Sequence, residues 1–309
     1  MLPAFLTTVL FSLSAVSGSV SSRLVGGMNA NFYRLLFGTV LLGLAAHLWG
    51  GGFSGGSLWW FMVSGAVGFG VGDTAVFQSL PRIGSRLTMV LVLCVSPPMA
   101  AVAEWLWMGT RLSLAEIGCA LLILAGVGIA LAPDRTQKIP RRTFWIGTAF
   151  GVVASACQAG GSVLSRKAFS LAAMNGEDIG GPTAAYQRIV GGVAVALVFL
   201  IIARHRLWLA WWWERRDAAA RGVGDHRWRR ATPWILFNGL VGPALGVSCF
   251  QWALKIAPTG VVLPIVALTP VVIIPFSRFL EGERPTRRSL LGGLLAVLGA
   301  AFLARLASR

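Results

Sequence analysis

Long apolar stretches separated by short polar connections run along the whole sequence. Ten of them approach the roughly 20 residues that a helix needs to cross a bilayer. They lack the alternation of apolar and polar residues that a membrane barrel strand requires, so the pattern favours helices. We therefore predict an all-α integral membrane protein with ten transmembrane helices, over residues 3–22, 30–48, 57–79, 86–107, 113–132, 144–165, 183–203, 232–253, 259–280 and 288–306.

An internal repeat relates the two halves of this pattern. Residues 18–23 recur at 161–166 with an offset of 143, and Arg34 corresponds to Arg188 with an offset of 154. After a further insertion the offset is 173 and stays constant. It then aligns Phe77-Gln78 with Phe250-Gln251, and Ser96-Pro97 with Thr269-Pro270.

The repeat predicts two five-helix units. Residues 1–133 and 144–309 form them, a basic linker at 134–143 joins them, and the second unit has insertions near 168–182 and 204–230. Since five is odd, the second unit enters the bilayer from the opposite side, and the repeats are inverted. Two opposed, equivalent halves supply the two states of alternating access, which favours a secondary transporter. The alternative is a non-transporting membrane scaffold or assembly subunit.

Composition agrees with a membrane location. The 309 residues are 56% hydrophobic and 12% charged, with a mean hydropathy of +0.72 and a net charge of +16. The 27 Lys and Arg lie mainly in the connections, where they set topology and contact anionic headgroups, so nucleic acid is not the expected partner. The first apolar run has no basic n-region, which favours a retained helix over a cleaved signal peptide.

No cofactor or metal is expected. The four cysteines and three histidines show no metal-ligand spacing, and there is no Walker A sequence for ATP-driven transport. The expected partners are a small-molecule substrate and the lipid bilayer, and a homodimer is left open.

The end of the chain carries a more specific signal. Gly282-Glu-Arg-Pro-Thr286 precedes a small-residue helix at 290–299, and Gly109-Thr-Arg-Leu-Ser113 is a degenerate copy of that motif. These residues resemble the closing helix of EamA-type repeats, which belong to the drug/metabolite transporter superfamily. The resemblance covers nearly the whole chain and implies a multi-pass exporter of small metabolites or drug-like molecules in the plasma (inner) membrane. It does not identify the substrate.

Charge predicts the orientation. The odd-numbered connections hold 20 Lys and Arg and the opposite side holds 7. The positive-inside rule then places both termini outside. The family resemblance instead implies both termini in the cytoplasm.

Polar residues within the spans are candidate substrate contacts, because they usually face the bundle interior. Serines share a face in helices 1 and 6 at helical spacing, where close packing is the equal alternative. Prolines are predicted to interrupt helices 4 and 9 next to a hydroxyl residue. The candidates are Ser12, Ser19, Gln78, Ser96, Gln158, Ser162, Gln251 and Thr269.

Carboxylates within the spans are rare. Asp73 is the deepest, and Gly246 occupies its repeat position. An intramembrane carboxylate suggests proton or cation coupling, with a local hydrogen-bonding role as the alternative. Glu104 is expected to reach headgroup water, and Ser113 with Glu116 forms a capping box. For Arg34 and Arg188 we favour a structural role with snorkelling side chains.

The motif Gly70-Val-Gly-Asp73 raises a remote enzyme alternative, an intramembrane GxGD-type aspartyl protease. That chemistry needs two carboxylates sharing one site. The other aspartates all lie in predicted loops, so no catalytic residue is predicted.

Overall fold

The computed structural model describes residues 1–131, 140–220, 223–272 and 287–307. The closing motif at 282–286 and most of the linker 134–143 lie outside these ranges. The described residues are helical and contain no β-strand, in agreement with the all-α prediction. Within these ranges, side chains are described except at Ser19, Arg23, Phe77, Leu80, Pro81, 84–86, 203–226 and Arg287.

In the described part of the chain, thirteen helical segments follow one another, besides the helical residues 269–272. The first half contains α1 (Leu2–Val25), α2 (Gly27–Trp49), α3 (Leu58–Gly65), the π-helix π1 (Ala66–Gly72), α4 (Asp73–Met108) and α5 (Leu114–Leu131). The second half contains α6 (Arg141–Met174), α7 (Gly181–Ala220), α8 (Val223–Gly239), the π-helix π2 (Leu240–Gly246), α9 (Val247–Ile256), α10 (Thr259–Val266) and α11 (Arg287–Leu306).

Eight stretches of the described residues are long and apolar enough to cross a membrane. They are Leu2–Ser22, Gly27–Trp49, Leu87–Met108, Leu114–Leu131, Arg141–Met174, Gly181–Ile202, Arg227–Ile256 and Arg288–Leu306, and each overlaps a predicted span. The predicted span 57–79 is divided by π1. The predicted span 259–280 begins with the shorter apolar helix Thr259–Val272. The count of ten therefore stays a prediction.

The outward helix faces carry many exposed apolar side chains. Leu44, Leu121 and Leu294 are each 57% exposed or more. A water-soluble protein rarely exposes apolar surface on this scale, so lipid is the surface that covers it.

The third and fourth predicted spans are one helical run. The sequence predicts a connection at 80–85, but α3, π1 and α4 continue without a break from Leu58 to Met108. Arg82, expected in that connection, donates to the backbone oxygen of Gln78 at 2.5 Å and to its Oε1 at 2.9 Å. Its guanidinium also lies 5.2 Å from the ring centroid of Phe150. Oγ of Ser79 nevertheless lies 3.0 Å from Oγ1 of Thr88, nine residues further on, whereas nine residues of a straight helix advance about 13 Å. The chain therefore turns sharply between these two residues, at the predicted connection, although the backbone stays helical.

The ninth predicted span is interrupted by a turn, but not at the expected step. α10 ends at Val266 and a turn at 267–268 precedes the next helical residues. Pro270 has no N–H for the carbonyl of Val266, and the hydroxyl of Thr269 donates to that oxygen at 2.7 Å instead. The fourth span shows no interruption, because α4 passes through Ser96 and both following prolines.

The two halves pack mainly against each other. α4 lies along α6, α5 along α11, α2 along α7, and α1 against α8 and π2. Two serines at equivalent repeat positions bridge the halves. Ser12 donates to the backbone oxygen of Thr269 at 2.9 Å, and Ser155 donates to that of Leu91 at 2.9 Å. These serines therefore hold helices together, as the packing alternative expects.

Glycine allows α3 and π1 to reach backbone contact with α7. A Cβ added at Gly65 would lie 1.6 Å from the carbonyl oxygen of Arg188, and one at Gly191 would lie 2.0 Å from that of Met62. Side chains larger than hydrogen do not fit at these two positions. The close approach places Arg188 directly beside π1.

Candidate substrate and coupling site

An ion pair lies inside the bundle where π1 meets α4. Nη2 of Arg34 is 3.1 Å from Oδ2 of Asp73, and the two side chains are 22% and 26% exposed. Nε of Arg34 also donates to Oδ1 of Asn31 at 2.8 Å. The Asp73 carboxylate is thus held by a cation from α2, at the start of α4.

Residues from the other half complete this site. Nη1 of Arg34 lies 3.5 Å from Oδ1 of Asn238, at the end of α8. The Asn238 amide in turn accepts from Oγ of Ser14 at 3.0 Å and donates to its backbone oxygen at 2.9 Å. We call Arg34, Asp73, Asn238 and Ser14 the Asp73 centre. It joins helices from both halves, so its geometry depends on how the halves are placed.

The repeat counterpart of Arg34 is buried more deeply. Arg188 is 1% exposed, and its guanidinium carbon lies 5.0 Å and 5.8 Å from the ring centroids of Phe69 and Phe250. Its one hydrogen bond among the described residues runs from Nη1 to Oγ of Ser165, at 3.5 Å. The prediction that Arg188 snorkels to the surface is wrong, since both rings and α3 enclose it.

Ser165 links several polar groups around Arg188. Its Oγ accepts from Nε2 of Gln251 at 3.0 Å and lies 2.8 Å from Oγ of Ser64, which bonds the backbone oxygen of Gly161. Two buried atoms in this cluster have no hydrogen-bond partner: Nε of Arg188 and Oε1 of Gln251. We call Arg188, Ser165, Gln251 and Ser64 the Arg188 centre.

Glu104 is also buried, contrary to the expectation that it reaches headgroup water. It is 1% exposed, and its Oε1 lies 3.1 Å from Nε of Arg166. Its Oε2 accepts from the backbone N–H of Thr259 at 2.7 Å and from the Thr259 hydroxyl at 2.5 Å. The carboxylate therefore caps α10 and holds α4, α6 and α10 together at one end of the bundle. We call Glu104, Arg166 and Thr259 the Glu104 cluster.

Further polar contacts lie at the same end. Nε2 of Gln187 donates to the backbone oxygens of Gly52 and Ser54, at 3.0 Å each. Nζ of Lys255 pairs with the exposed carboxylate of Asp178. The hydrogen bond from Lys255 and its positive charge hold the pKa of Asp178 below its ordinary value. The Asp178 pair is therefore formed at neutral pH and is lost only as the pH falls through that lowered pKa.

The remaining predicted site residues lie on several helices. Ser162 is buried and donates to the backbone oxygen of Gln158 at 2.8 Å, and Gln158 is partly buried. Gln78 accepts from Arg82, and Ser96 is 3% exposed within α4. The side chain of Ser19 lies outside the described side chains. Of the predicted residues, Gln251 lies in the Arg188 centre and Asp73 lies in the Asp73 centre.

Sequence reasoning missed several residues of these clusters, among them three with distant partners. Asn238, Arg166 and Glu104 are joined to partners 62 to 224 residues away along the chain. The sequence offered one signal for such residues, namely a polar residue within a predicted apolar span. Asn238 and Glu104 both meet this description. Among the described residues, no group of three or more His, Cys, Asp or Glu could hold a metal ion.

Fold and site together define a multi-pass helical membrane protein with charged residues inside its bundle. The sequence matches the EamA-like transporter family over residues 1–132 and 145–305. The chain belongs to this family, within the drug/metabolite transporter superfamily. It is therefore a transporter-type protein of the plasma (inner) membrane.

Among the proteins similar to this chain are a bacterial flippase subunit and a protein of solved structure. A segment of 79 residues is 36% identical to the probable 4-amino-4-deoxy-L-arabinose-phosphoundecaprenol flippase subunit ArnE of Pseudomonas paraeruginosa (strain DSM 24068 / PA7). This segment is 26% of the chain and spans 66% of the length of ArnE. A solved crystal structure matches with a TM-score of 0.74 at 17% identity, covering 100% of this chain and 97% of the other. At that identity the likeness shows the fold alone.

Proposed function

We propose that this protein is a secondary, non-ATP exporter of small metabolites or drug-like molecules that works by alternating access. It comprises ten transmembrane helices in two inverted five-helix repeats, residues 1–133 and 144–309. The observation that carries the proposal is the Asp73 centre, an ion pair inside the bundle built from both halves. A scaffold has no need of such a pair, whereas intramembrane charges commonly mark transport and coupling sites.

Two structural features support the repeat arrangement. The π-helices Ala66–Gly72 and Leu240–Gly246 fall within one residue of equivalent positions at the offset of 173. α3 and π1 contact α6 and α7, just as α8 and π2 contact α1 and α2. Equivalent π-helices and reciprocal contacts between the repeats are both expected when two opposed copies pack around a central site.

The mechanism follows from how the centres are built. The Glu104 cluster holds one end of the bundle closed. The Asp73 centre includes α8, so a movement of the second half changes what surrounds the carboxylate. Binding or release of a proton at Asp73 then couples the pH gradient to the switch between the two states of alternating access. Hydroxyls and amides from both repeats contact the substrate near the midplane.

The experiment is transport by the purified full chain in liposomes under an imposed pH gradient. A panel of amino acids, nucleosides, sugars and polyamines is offered, and at least one solute should move faster than into protein-free liposomes. Comparing gradients of opposite sign tests export against import. If no panel member moves or binds, the scaffold alternative is supported and the transport proposal fails.

Several observations disfavour the protease alternative. The Asp73 carboxylate faces Arg34, whereas an aspartyl protease needs a second carboxylate there. Asp178, the other aspartate whose side chain is described, is exposed in a loop and pairs with Lys255. Family membership also favours transport over hydrolysis.

We retain the orientation that the charge distribution predicts, with both termini outside. A reporter enzyme active only in the cytoplasm, fused after Arg309, should give a signal close to background. The same reporter placed in the basic segment 134–143 should be strongly active and serves as the positive control. A strong signal from the C-terminal fusion would reverse the proposed orientation. Blue native electrophoresis of the same preparation tests the homodimer.

A further inference from the structure

Arg188 is a buried cation that no carboxylate contacts. Among the described residues, its guanidinium lacks an acidic partner within salt-bridge distance, and its Nε has no hydrogen-bond acceptor. The carboxylate whose charge acts on it, Asp73, forms its ion pair with Arg34 instead. A buried charge without a direct partner is costly to remove from water, and two aromatic faces and one hydroxyl compensate for this only in part. Such an arrangement is expected where a ligand supplies the missing anion.

Comparison of the two repeats shows which group is missing. Arg34 and Arg188 occupy equivalent positions, and Arg34 is neutralised by Asp73. The residue equivalent to Asp73 in the second repeat is Gly246, which has no side chain to serve this purpose. The second repeat has therefore kept the cation without its carboxylate.

The neighbouring amide adds a second requirement. Gln251 is 0% exposed, and its Nε2 is engaged by Ser165, which leaves Oε1 as a free acceptor. The Arg188 and Gln251 side chains both bond Oγ of Ser165, so they lie side by side. A ligand that satisfies both must present an anionic oxygen to Arg188 and an N–H or O–H donor to Gln251.

Glycines and aromatic rings shape the space around the guanidinium. A Cβ at Gly68 would lie 2.7 Å from Nη2 of Arg188, and one at Gly161 would lie 3.2 Å from it. Phe69 and Phe250 flank the same group. The walls are therefore apolar, and the anionic group of a ligand would meet its polar contacts at Arg188 and Gln251.

We propose that the Arg188 centre binds the substrate as a small organic oxyanion, with its carboxylate or phosphate on Arg188 and a neighbouring donor on Oε1 of Gln251. This inference rests on the proposed transport function and specifies its substrate class. The centre is closed in this structure, so the ligand enters when the halves move apart. Arg188 is then a substrate-binding residue and not a structural one.

Matched probe pairs test the proposal on the full chain in nanodiscs by titration calorimetry. L-phenylalanine is compared with phenethylamine, which lacks the carboxylate, and glycerol 3-phosphate with glycerol. At least one anionic member should bind more tightly than its partner, and the pair that responds distinguishes carboxylate from phosphate. Arg188→Gln should weaken that binding by about tenfold to a hundredfold, as expected for loss of a charge-assisted hydrogen bond.

Two further variants keep the test valid if Arg188→Gln fails to fold. Gln251→Glu keeps Arg188 but places a carboxylate beside it, and it should abolish anion binding. Lys255→Gln removes one positive charge at the protein surface and should leave binding unchanged. Equal binding of both members of each pair, or wild-type binding by Arg188→Gln or Gln251→Glu, would overturn the proposal.

Failure of this inference is distinguishable from failure of the transport proposal. Transport of a neutral or cationic solute that is insensitive to Arg188→Gln overturns the anion site but leaves the transporter intact. Absence of transport for every solute of the liposome panel overturns the proposed function itself.

Discussion

Replacing Asp73 by asparagine is expected to abolish the pH dependence of transport and to lower gradient-driven uptake by about tenfold or more. Asparagine keeps the shape of the side chain and a hydrogen bond to Arg34, but it neither ionises nor takes up a proton. The variant should still exchange substrate between equal concentrations, because the substrate contacts remain. The measurement is liposome flux with and without a pH gradient, at several pH values around neutrality.

Asp178→Asn is the matched control. It makes the same chemical change at an exposed loop carboxylate, whose pKa Lys255 holds below the ordinary value. Asp178 stays ionised throughout the neutral range, so flux should keep its wild-type pH dependence. If Asp73→Asn retains both the rate and the pH dependence of the wild type, coupling does not pass through Asp73.

A loss of folding must be separated from a loss of coupling. Asp73→Asn leaves the partly buried Arg34 without a counter-ion, which is itself destabilising. The double variant Arg34→Gln with Asp73→Asn removes both charges and should recover much of the expression and thermal stability. It should remain insensitive to the pH gradient, since the titrating group is absent in both variants.

Helical periodicity predicted most of the fold because lipid imposes long, regular apolar segments. The eight observed spans all overlap predicted ones. Pro81 and Gly84 are local signals that predicted a connection at 80–85, and the contact between Ser79 and Thr88 shows that the chain turns there. The helical backbone across the turn was not predicted, because the contacts of Arg82 with Gln78 and Phe150 form only in the folded protein.

The repeat predicted equivalent positions but not equivalent partners. Arg34 and Arg188 both lie early in a helix, and on that evidence a snorkelling role was reasonable for each. The structure separates them, because Asp73 pairs with Arg34 while Phe69 and Phe250 enclose Arg188. Which helices converge on an arginine depends on the assembled bundle, and a single sequence does not contain that information.

The capping box and Glu104 show the same contrast between local and long-range interactions. Ser113 and Glu116 were predicted to cap α5, and the structure confirms it, with reciprocal bonds of 2.8 Å and 3.2 Å. That motif involves residues three positions apart. The partners of Glu104 lie 62 and 155 positions away, so its helix-end location suggested solvent instead.

Glu104→Gln is expected to destabilise the protein by about 3 kcal/mol, the size found when one partner of a buried ion pair is removed. The amide leaves Arg166 buried without its counter-charge. It also replaces a charged acceptor of the Thr259 N–H by a neutral one, which weakens the cap of α10. The measurement is the midpoint of unfolding in nanodiscs, where the variant should unfold at a clearly lower temperature.

Glu116→Gln is the control, because it changes a partly exposed glutamate that also caps a helix and should cost well under 1 kcal/mol. Arg166→Gln should resemble Glu104→Gln. The double variant should be less destabilised than the sum of the two, since removing both charges leaves neither unpaired. Additive effects, or a Glu104→Gln change as small as that of Glu116→Gln, would mean that the pair does not hold this end closed. Non-additivity with faster substrate exchange would instead identify the Glu104 cluster as the contact that must break each time this end opens.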